Sequence, residues 1–228
     1  GKLGDTVKFS EFTEKQINAM KDVIADHPFK VGNDYRKDQA IYFKGELKSV
    51  TVYGDVRTDE EIFRDVSGIS KDDANLLAHY DMRFAEGSDV IPDRSGNGIN
   101  VTNLNPTSDT VDEGEGMTFS MSNKYTEKYQ SSIFPHTVEA MIKLPVGETG
   151  DKAIIGNYAP DTGKPSTYQL RTVNGVPRLI LYTPSGTALE YRFTNLTAAE
   201  LCTGEWEHLT LVMDTDAREF RVYLNGVP

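Results

Sequence analysis

The sequence lacks several features on which particular protein classes depend. Among its 228 residues there is one cysteine, Cys202, so no disulfide can form within the chain. A single cysteine is most often a small buried hydrophobe. No stretch approaches the roughly 18 consecutive apolar residues of a membrane span. Because 38% of the residues are hydrophobic, we expect a soluble fold held by its own apolar core.

Basic residues are also scarce. The chain has 24 lysines and arginines against 35 aspartates and glutamates, a net charge of −11. A surface of this sign repels the phosphate backbone, which argues against nucleic acid as a partner. The acidic excess suits solubility, and it suits calcium, whose protein ligands are oxygen atoms.

Motifs for zinc binding and for common catalytic sites are missing as well. No two histidines stand at the i, i+2 or i, i+4 spacing of a zinc site. The four are His27, His79, His136 and His208. Neither a G-x-S-x-G nucleophile elbow nor a phosphate-binding glycine loop occurs. The sequence therefore predicts a protein that is not an enzyme.

Alternating apolar and polar residues recur along the chain. In residues 137–144, Val138, Ala140 and Ile142 share one face, and Glu139 lies on the other. The same alternation occurs in residues 49–53, 117–121, 189–193, 208–213 and 219–224. A period of two is typical of antiparallel strands with one buried face, and turn pairs such as Asn174-Gly175 separate them. The pattern predicts an all-β fold, a jelly-roll sandwich of two antiparallel sheets.

Two segments are instead typical of short helices. Residues 10–25 carry Phe12 and Ile17 among apolar residues at helical spacing, and Thr58 stands before three acidic residues as a helix cap does. We expect one or two short helices in the connections, and residues 197–201 can form a further single turn.

Four segments resemble parts of one known family. Residues 76–84 (LLAHYDMRF) resemble its opening strand, and residues 93–98 (DRSGNG) its D-x-S-G-N-G loop. Residues 205–226 resemble its central hairpin, and residues 43–62 its closing strand and short terminal helix. The chain thus resembles the laminin-G-like jelly-roll domains of the concanavalin A-like lectin/glucanase superfamily.

The order of these segments differs from the family's order. The closing segment precedes the opening segment in this chain, which stops just after the Asn225-Gly226 turn. This order fits a circular permutant of one domain or a fragment cut across tandem repeats. Half a jelly roll would expose its core and unpaired strand edges. We therefore predict a single domain over residues 1–228, in which closing strands within 1–66 complete the sheets begun by 69–228, or an equivalent made by strand exchange. In such a domain Gly1 and Pro228 lie close together.

The loop at residues 93–98 is a candidate calcium site. Asp93, Ser95 and Asn97 offer a carboxylate, a hydroxyl and an amide within five residues. The resemblance implies calcium at this loop, with Glu46 approaching if the opening and closing strands pair. The alternative is that Asp93 and Asn97 only shape a turn through bonds to the backbone. Lys48 and Ser49 stand where the family often has acids, a departure from its pattern.

The resemblance implies a non-catalytic recognition module of a secreted or cell-surface protein, with a glycan or a neighbouring domain as its partner. Aromatic rings with hydroxyl groups suit sugars. The candidate ligand-binding residues are Tyr125, Tyr129, Tyr158, Tyr168 and Tyr182. Trp206 can stack on a sugar or pack in the core.

Two other functions remain open. One is an accessory domain that packs against a neighbour and has no ligand. The other is a glycoside hydrolase, which needs two facing carboxylates. The E-x-D-x-E pattern of hydrolases with this fold is absent. The nearest acidic pairs, Glu205 with Glu207 and Asp214 with Asp216, are expected at a strand entrance and a turn.

Overall fold

The computed structural model shows two antiparallel β-sheets packed face to face around one apolar core. It describes residues 4–21, 30–32, 43–82, 90–103, 110–112, 116–119, 125–127, 136–156, 168–182 and 187–227. The all-β, two-sheet prediction is confirmed.

Sixteen strands and three helices follow one another along the described parts of the chain. They begin with β1 (Gly4–Lys8), α1 (Glu14–Lys21), β2 (Lys30–Val31), β3 (Gly45–Tyr53), α2 (Asp59–Asp65), β4 (Leu76–Asp81), β5 (Val90–Ile91), β6 (Val101–Asn103), β7 (Thr110–Asp112) and β8 (Gly116–Phe119). There follow β9 (Tyr125–Glu127), β10 (His136–Lys143), β11 (Asp151–Gly156), β12 (Tyr168–Val173), β13 (Val176–Tyr182), β14 (Ala188–Arg192), α3 (Ala198–Leu201), β15 (Glu207–Asp214) and β16 (Glu219–Leu224).

Each sheet is antiparallel throughout the described residues. The first, sheet A, has the order β1-β16-β15-β10-β3-β8-β7, and β4 pairs with the second half of β3. The second, sheet B, has the order β14-β13-β12-β11-β2-β9-β6-β5.

Strand β3 occupies the middle of sheet A. It pairs with β10 on one side, where Val50 lies opposite Ala140, and with β4 on the other, where Val50 lies opposite Tyr80. The first part of the chain supplies two further strands. In sheet A, β1 pairs with β16, and in sheet B, β2 lies between β11 and β9. Both sheets thus contain strands from residues 1–66. Gly1 and Pro228 lie outside the described residues, and the domain limits stay a prediction.

The core lies between the two inner faces. In β10 the alternating residues Val138, Ala140 and Ile142 are buried there, as their period of two predicts. In the same core, Nε2 of His136 in sheet A lies 3.1 Å from the hydroxyl of Tyr168 in sheet B. Because the ring is fully buried, the pKa of His136 falls to about 4. A neutral histidine therefore joins the two sheets.

Three short helices occur among the described residues, two in the segments predicted as helical and the third at the further single turn expected at residues 197–201. Helix α2 begins with the predicted cap, because the Thr58 hydroxyl accepts the backbone N–H of Glu61 at 3.3 Å and the Glu61 carboxylate accepts that of Thr58 at 2.9 Å. Helix α3 is the additional single turn, preceded by Thr197. No helix of the described ranges combines the length and apolarity of a membrane span.

Candidate binding face

The outer face of sheet B carries a row of three arginines. Asn174 and Gly175 both have positive φ and form the two-residue turn between β12 and β13. That turn places Arg171 directly opposite Arg178, and the next pairing places Arg178 opposite Arg192 on β14. We call Arg171, Arg178 and Arg192 the arginine row. The row faces outward, because the alternate residue Leu170 lies in the core.

Burial increases along the row from the edge of the sheet to its middle. The exposed fraction of the side chain is 62% for Arg192, 18% for Arg178 and 9% for Arg171. Gln169, on the same face of β12, is 0% exposed. The face is thus open at the edge strand β14 and closed at the centre.

Two carboxylates offset the positive charge of the row. Like charges directly opposite one another in a sheet are unfavourable. Glu190 accepts from all three arginines, with a close contact to Arg178 Nη1, 3.0 Å to Arg192 Nε and 3.5 Å to Arg171 Nη2. Burial alone would raise the pKa of Glu190. The hydrogen bond from Arg178 and the charges of the other guanidiniums outweigh this effect, so the pKa of Glu190 lies below its ordinary range. Asp151 accepts from Arg171 at 3.1 Å.

Several buried polar atoms on this face have no hydrogen-bond partner. They include both amide atoms of Gln169 and the Nε atoms of Arg171 and Arg178. Buried polar groups in folded proteins are nearly always paired, and each unpaired one costs about 1–3 kcal/mol. These atoms form a buried polar cluster beneath the outer face of sheet B.

The surroundings of Gln169 are closely packed. Opposite Gln169 on β11 stands Gly156, where a Cβ would lie 2.5 Å from the backbone oxygen of Tyr168. The two strands therefore approach too closely at this position for any side chain other than that of glycine. On the other side, Ile180 lies opposite Gln169, and Tyr182 follows on the same face of β13. The amide thus has apolar neighbours on one flank and none from β11 on the other.

The predicted calcium loop is closed by its own hydrogen bonds. One oxygen of Asp93 accepts from the backbone N–H groups of His79 and Ser95 at 3.0 and 2.9 Å, and the other accepts from the Ser95 hydroxyl and the Ile99 N–H at 2.7 and 3.1 Å. Asn97 donates to the carbonyl oxygens of β4 residues Leu76 and Leu77. These are the turn-shaping bonds of the alternative interpretation, and a calcium ion would have to displace them.

The structure does not bring Glu46 to this loop. Strands β3 and β4 pair as predicted, but Glu46 lies opposite Thr118 of β8 and forms an ion pair with Lys143 at 3.0 Å. The loop contacts residues 76–80 of β4, and among the β3 residues paired with these, Val50, opposite Tyr80, is the closest in sequence to Glu46. Four residues of strand separate Val50 from Glu46, or about 13 Å. Within the described ranges no group of three or more His, Cys, Asp or Glu is suited to a metal, and calcium stays a prediction.

A family model of the concanavalin A-like lectin/glucanases superfamily, Laminin_G_3, matches residues 108–228, more than half of the chain. The chain belongs to this laminin-G-like family. The matched range contains β12, β13 and β14, and with them the whole arginine row. Neither the curated proteins nor the solved structures contain a match. Laminin-G-like domains are as a rule extracellular binding modules without catalytic activity, although the superfamily also includes glycosidases. In general terms this is a lectin-like or binding module.

The five candidate tyrosines fall in different places in this laminin-G-like domain. Tyr182 lies on the outer face of sheet B, four residues along β13 from Arg178, and is buried there, whereas Tyr168 is buried in the core. Tyr125 belongs to β9, of which only the backbone is described. Tyr129 and Tyr158 lie outside the described residues. The structure thus places one of the five beside the candidate face, and ligand binding by any of them stays a prediction.

The sequence interpretation missed Gln169 and the arginines, although a local signal was present. Arg171 and Arg178 are equally far from the Asn174-Gly175 turn. A two-residue hairpin turn fixes the register of its strands and must place such residues opposite each other. Two like charges at mirror positions around a predicted turn are therefore a usable signal that the two side chains lie opposite each other in the folded domain.

The other candidate residues of this laminin-G-like domain have structural contacts. Trp206 is half-buried, and the Lys48 and Lys143 ammonium groups each lie 5.8 Å from its ring centre. The carboxylate of Glu207 accepts from Thr203 at 2.7 Å and from Asn225 at 2.6 Å. Asp214 accepts the backbone N–H groups of the turn that follows it. These carboxylates have the strand-end and turn contacts expected from the sequence.

Proposed function

We propose that this laminin-G-like domain is a non-catalytic recognition module that binds a glycan on the outer face of sheet B. The observation that carries the proposal is the buried amide of Gln169, whose donor and acceptor are both unpaired. A sugar hydroxyl both donates and accepts hydrogen bonds. Because Gln169 is 0% exposed, a glycan hydroxyl pair reaches this amide only when the side chains that enclose it move aside on binding.

The shape of the face favours a narrow, flexible ligand. Burial rises from Arg192 at the edge to Gln169 in the middle of the sheet. An oligosaccharide is narrow enough to begin at the exposed Arg192 and to extend inward as the centre of the face opens, which a flat partner surface cannot do.

The proposal includes a location and a context. A secreted or cell-surface protein meets glycans outside the cell, and the family's usual extracellular setting agrees with this. We place the domain in such a protein, where a neighbouring domain supplies any catalysis. Calcium at the Asp93 loop belongs to the proposal as a stabiliser of the fold, not as a ligand of the glycan.

The test is a glycan array with the unmodified domain and the variant Q169L. Leucine keeps the volume of the side chain and removes two unpaired buried polar atoms, so we expect the fold to be retained or slightly stabilised. Glycan binding should fall at least about tenfold, the equivalent of one lost hydrogen-bond pair. The matched control is R64Q, an exposed arginine on α2 whose change should leave binding intact.

Two results would contradict the proposal. A folded domain that binds no glycan on the array would favour the accessory-domain alternative. Equal binding by Q169L and the unmodified domain would show that the glycan binds elsewhere.

A further inference from the structure

We propose that helix α2 is a proton-linked cover, which lifts from the outer face of sheet A when the buried carboxyl group of Glu139 loses its proton. This device lies on the sheet opposite the proposed glycan face, and it does not depend on glycan binding. Its parts are the helix, the residues that attach it to the sheet, and Glu139 on β10.

The apolar attachment of α2 is small and separate from the main core. Ile62 packs with Val212 and Tyr223, and the partly buried Val56 completes this group. Among the described residues, none of these four belongs to the cluster that fills the space between the two sheets. Lifting the helix therefore breaks contacts on the outer face of sheet A and leaves the core between the sheets intact.

The polar attachments of α2 differ at its two ends. At the start, the carboxylate of Asp59 is 57% exposed and accepts from the Tyr223 hydroxyl at 2.7 Å. At the end, the Asp65 side chain is fully buried and accepts from Arg57 Nη2 at 2.7 Å, while the other oxygen of Asp65 has no hydrogen bond. The last turn of the helix thus brings a buried carboxyl group to the sheet.

Glu139 is a second buried carboxyl group in the same region. Its side chain is 1% exposed, and neither of its oxygens has a hydrogen-bond partner. Burying a charge without such partners is strongly unfavourable. Burial accordingly raises the pKa of Glu139, and the charge of Asp65 raises it further, whereas His208 and Arg57 oppose this. The covered form of the domain therefore favours the protonated carboxyl group.

The ionisable groups that face Glu139 come from each element around it. Strand β3 contributes Tyr53, β15 contributes His208, and α2 contributes Asp65, with Arg57 from the segment before the helix. Tyr53 is not the switch, because burial and the charges of Glu139 and Asp65 raise the pKa of its phenol above the ordinary value. His208 Nε2 lies 3.4 Å from Glu139, so the experiment tests the histidine separately.

Proton binding couples these parts. With the helix lifted, water reaches the Glu139 carboxyl group and its pKa returns toward the ordinary value of 4.5. The covered form then binds the proton more tightly than the lifted form does. As the pH rises above 4.5, the lifted form gains population until the raised pKa of the covered form is passed. Below 4.5 both forms are protonated, and the helix stays in place.

The experiment is amide hydrogen exchange followed by NMR spectroscopy, with rates corrected for the intrinsic effect of pH. The reporters are the amides of Ile62 and Val66, which donate to the carbonyl oxygens of Thr58 and Ile62. Between about pH 5 and about pH 8, their protection should fall by up to about tenfold per pH unit, because lifting releases one proton. Amides of β15 that pair with β10 should keep their protection, since local opening leaves the core strands closed.

Variants identify the group that loses the proton. E139Q cannot ionise, so the protection of Val66 should become independent of pH. E205Q, at an exposed position, is the matched control and should behave as the unmodified domain does. H208Q leaves Glu139 in place and should retain the pH dependence. I62A removes the central apolar contact of the helix, so it should increase opening at least about tenfold at every pH without changing the slope.

Three results would overturn the proposal. The first is protection of α2 that does not change with pH in the unmodified domain, or that falls equally in E139Q and E205Q. The second is a pH dependence that disappears in H208Q but remains in E139Q, which would assign it to the histidine. The third is a parallel loss of protection in α2 and β15, which would mean unfolding of the whole domain. If I62A does not fold, the comparison of E139Q with E205Q still decides.

Discussion

The outer faces of the two sheets both bury an arginine away from the core, but they complete its contacts in different ways. On sheet A, helix α2 packs over the face, and its Ile62 forms a small apolar cluster with Val212 and Tyr223. Beside it, the Arg57 guanidinium stacks over the Tyr53 ring at 3.9 Å and bonds two carboxylates. On sheet B, Arg171 has longer contacts and faces a surface that opens toward β14.

The buried polar atoms without hydrogen-bond partners also differ between the two faces. On sheet A they include four carboxylate oxygens, besides the Nε atoms of Arg57 and Arg221. The oxygens are Asp55 Oδ1, Asp65 Oδ1 and both oxygens of Glu139. On sheet B the donors predominate. Acceptors beneath a packed helix can only lower stability, whereas donors on a face that opens at its edge can be satisfied by a ligand. The comparison sets a structural polar cluster on sheet A against the face of sheet B at which we propose binding.

The largest expected effect is on the covered face. In R57M, Asp65 and Asp73 lose their countercharge while Asp65 stays fully buried. Breaking a buried pair in this way costs about 3–5 kcal/mol, which urea unfolding would show as a lower midpoint with an unchanged slope. The matched variant R178M, on the open face, should lose about 1 kcal/mol or less. Equal losses in the two variants would break the comparison.

The Asp93 loop, which ties β4 of sheet A to the strands of sheet B that flank it, should show the next largest effect. Hydrogen bonds to a charged group contribute about 1.5–3 kcal/mol, and D93A should lose about that much in urea unfolding. The calcium prediction is tested with the same variant. A bound ion would raise the unfolding temperature of the unmodified domain in calcium but not that of D93A. Identical curves in calcium and in EDTA would contradict calcium binding.

The smallest expected effect on stability is at Glu139. This residue is buried on the covered face of sheet A, and its Oε2 lies 3.4 Å from Nε2 of His208. Burial raises the pKa of Glu139, and the neighbouring His208 only opposes this. The folded state therefore binds its proton more tightly than the unfolded state, and stability falls as pH rises through the window above the ordinary value of 4.5. E139Q should remove this fall and be more stable than the unmodified domain by about 1 kcal/mol at neutral pH. Below the ordinary pKa the two should converge.

The control for this prediction is E205Q, at an exposed position two residues before the start of β15. Its unfolding midpoint should follow that of the unmodified domain at every pH. An E139Q variant that is less stable at neutral pH than at pH 4, as the unmodified domain is, would assign the fall to another group.

The features that the sequence predicted correctly are those set by neighbouring residues. The period of two fixes which residues of β10 face the core, and the Thr58–Glu61 pair fixes the start of α2, because both depend on a few adjacent positions. The burial of Glu139 was not predictable in this way, since it depends on how α2 and the adjoining loop pack over sheet A. Glu139 does lie on the face opposite Val138, but that face is not in solvent.

The same limit applies to the candidate sites. The pairing of β3 with β4 was predicted, but the position of Glu46 depends on the register shift opposite Met141 and Ile142 and on the pairing with β8. The opposed arginines follow from the turn between β12 and β13. The unpaired state of Gln169 does not, because it depends on which side chains β11 and β13 place around it.

The central position of β3 has a consequence for how the chain reaches its fold. Tyr53 and Thr137 face each other across β3 and β10 although they are 84 positions apart, while β4, the neighbour on the other side, follows within about 30 residues. During synthesis β3 can therefore join β4 early and must then wait with one edge unpaired until β10 emerges. Contacts of such long range slow folding, and an unpaired edge invites association with other chains. Because of the order in which the strands are made, we expect this domain to fold slowly. We also expect its nascent chains to associate with one another.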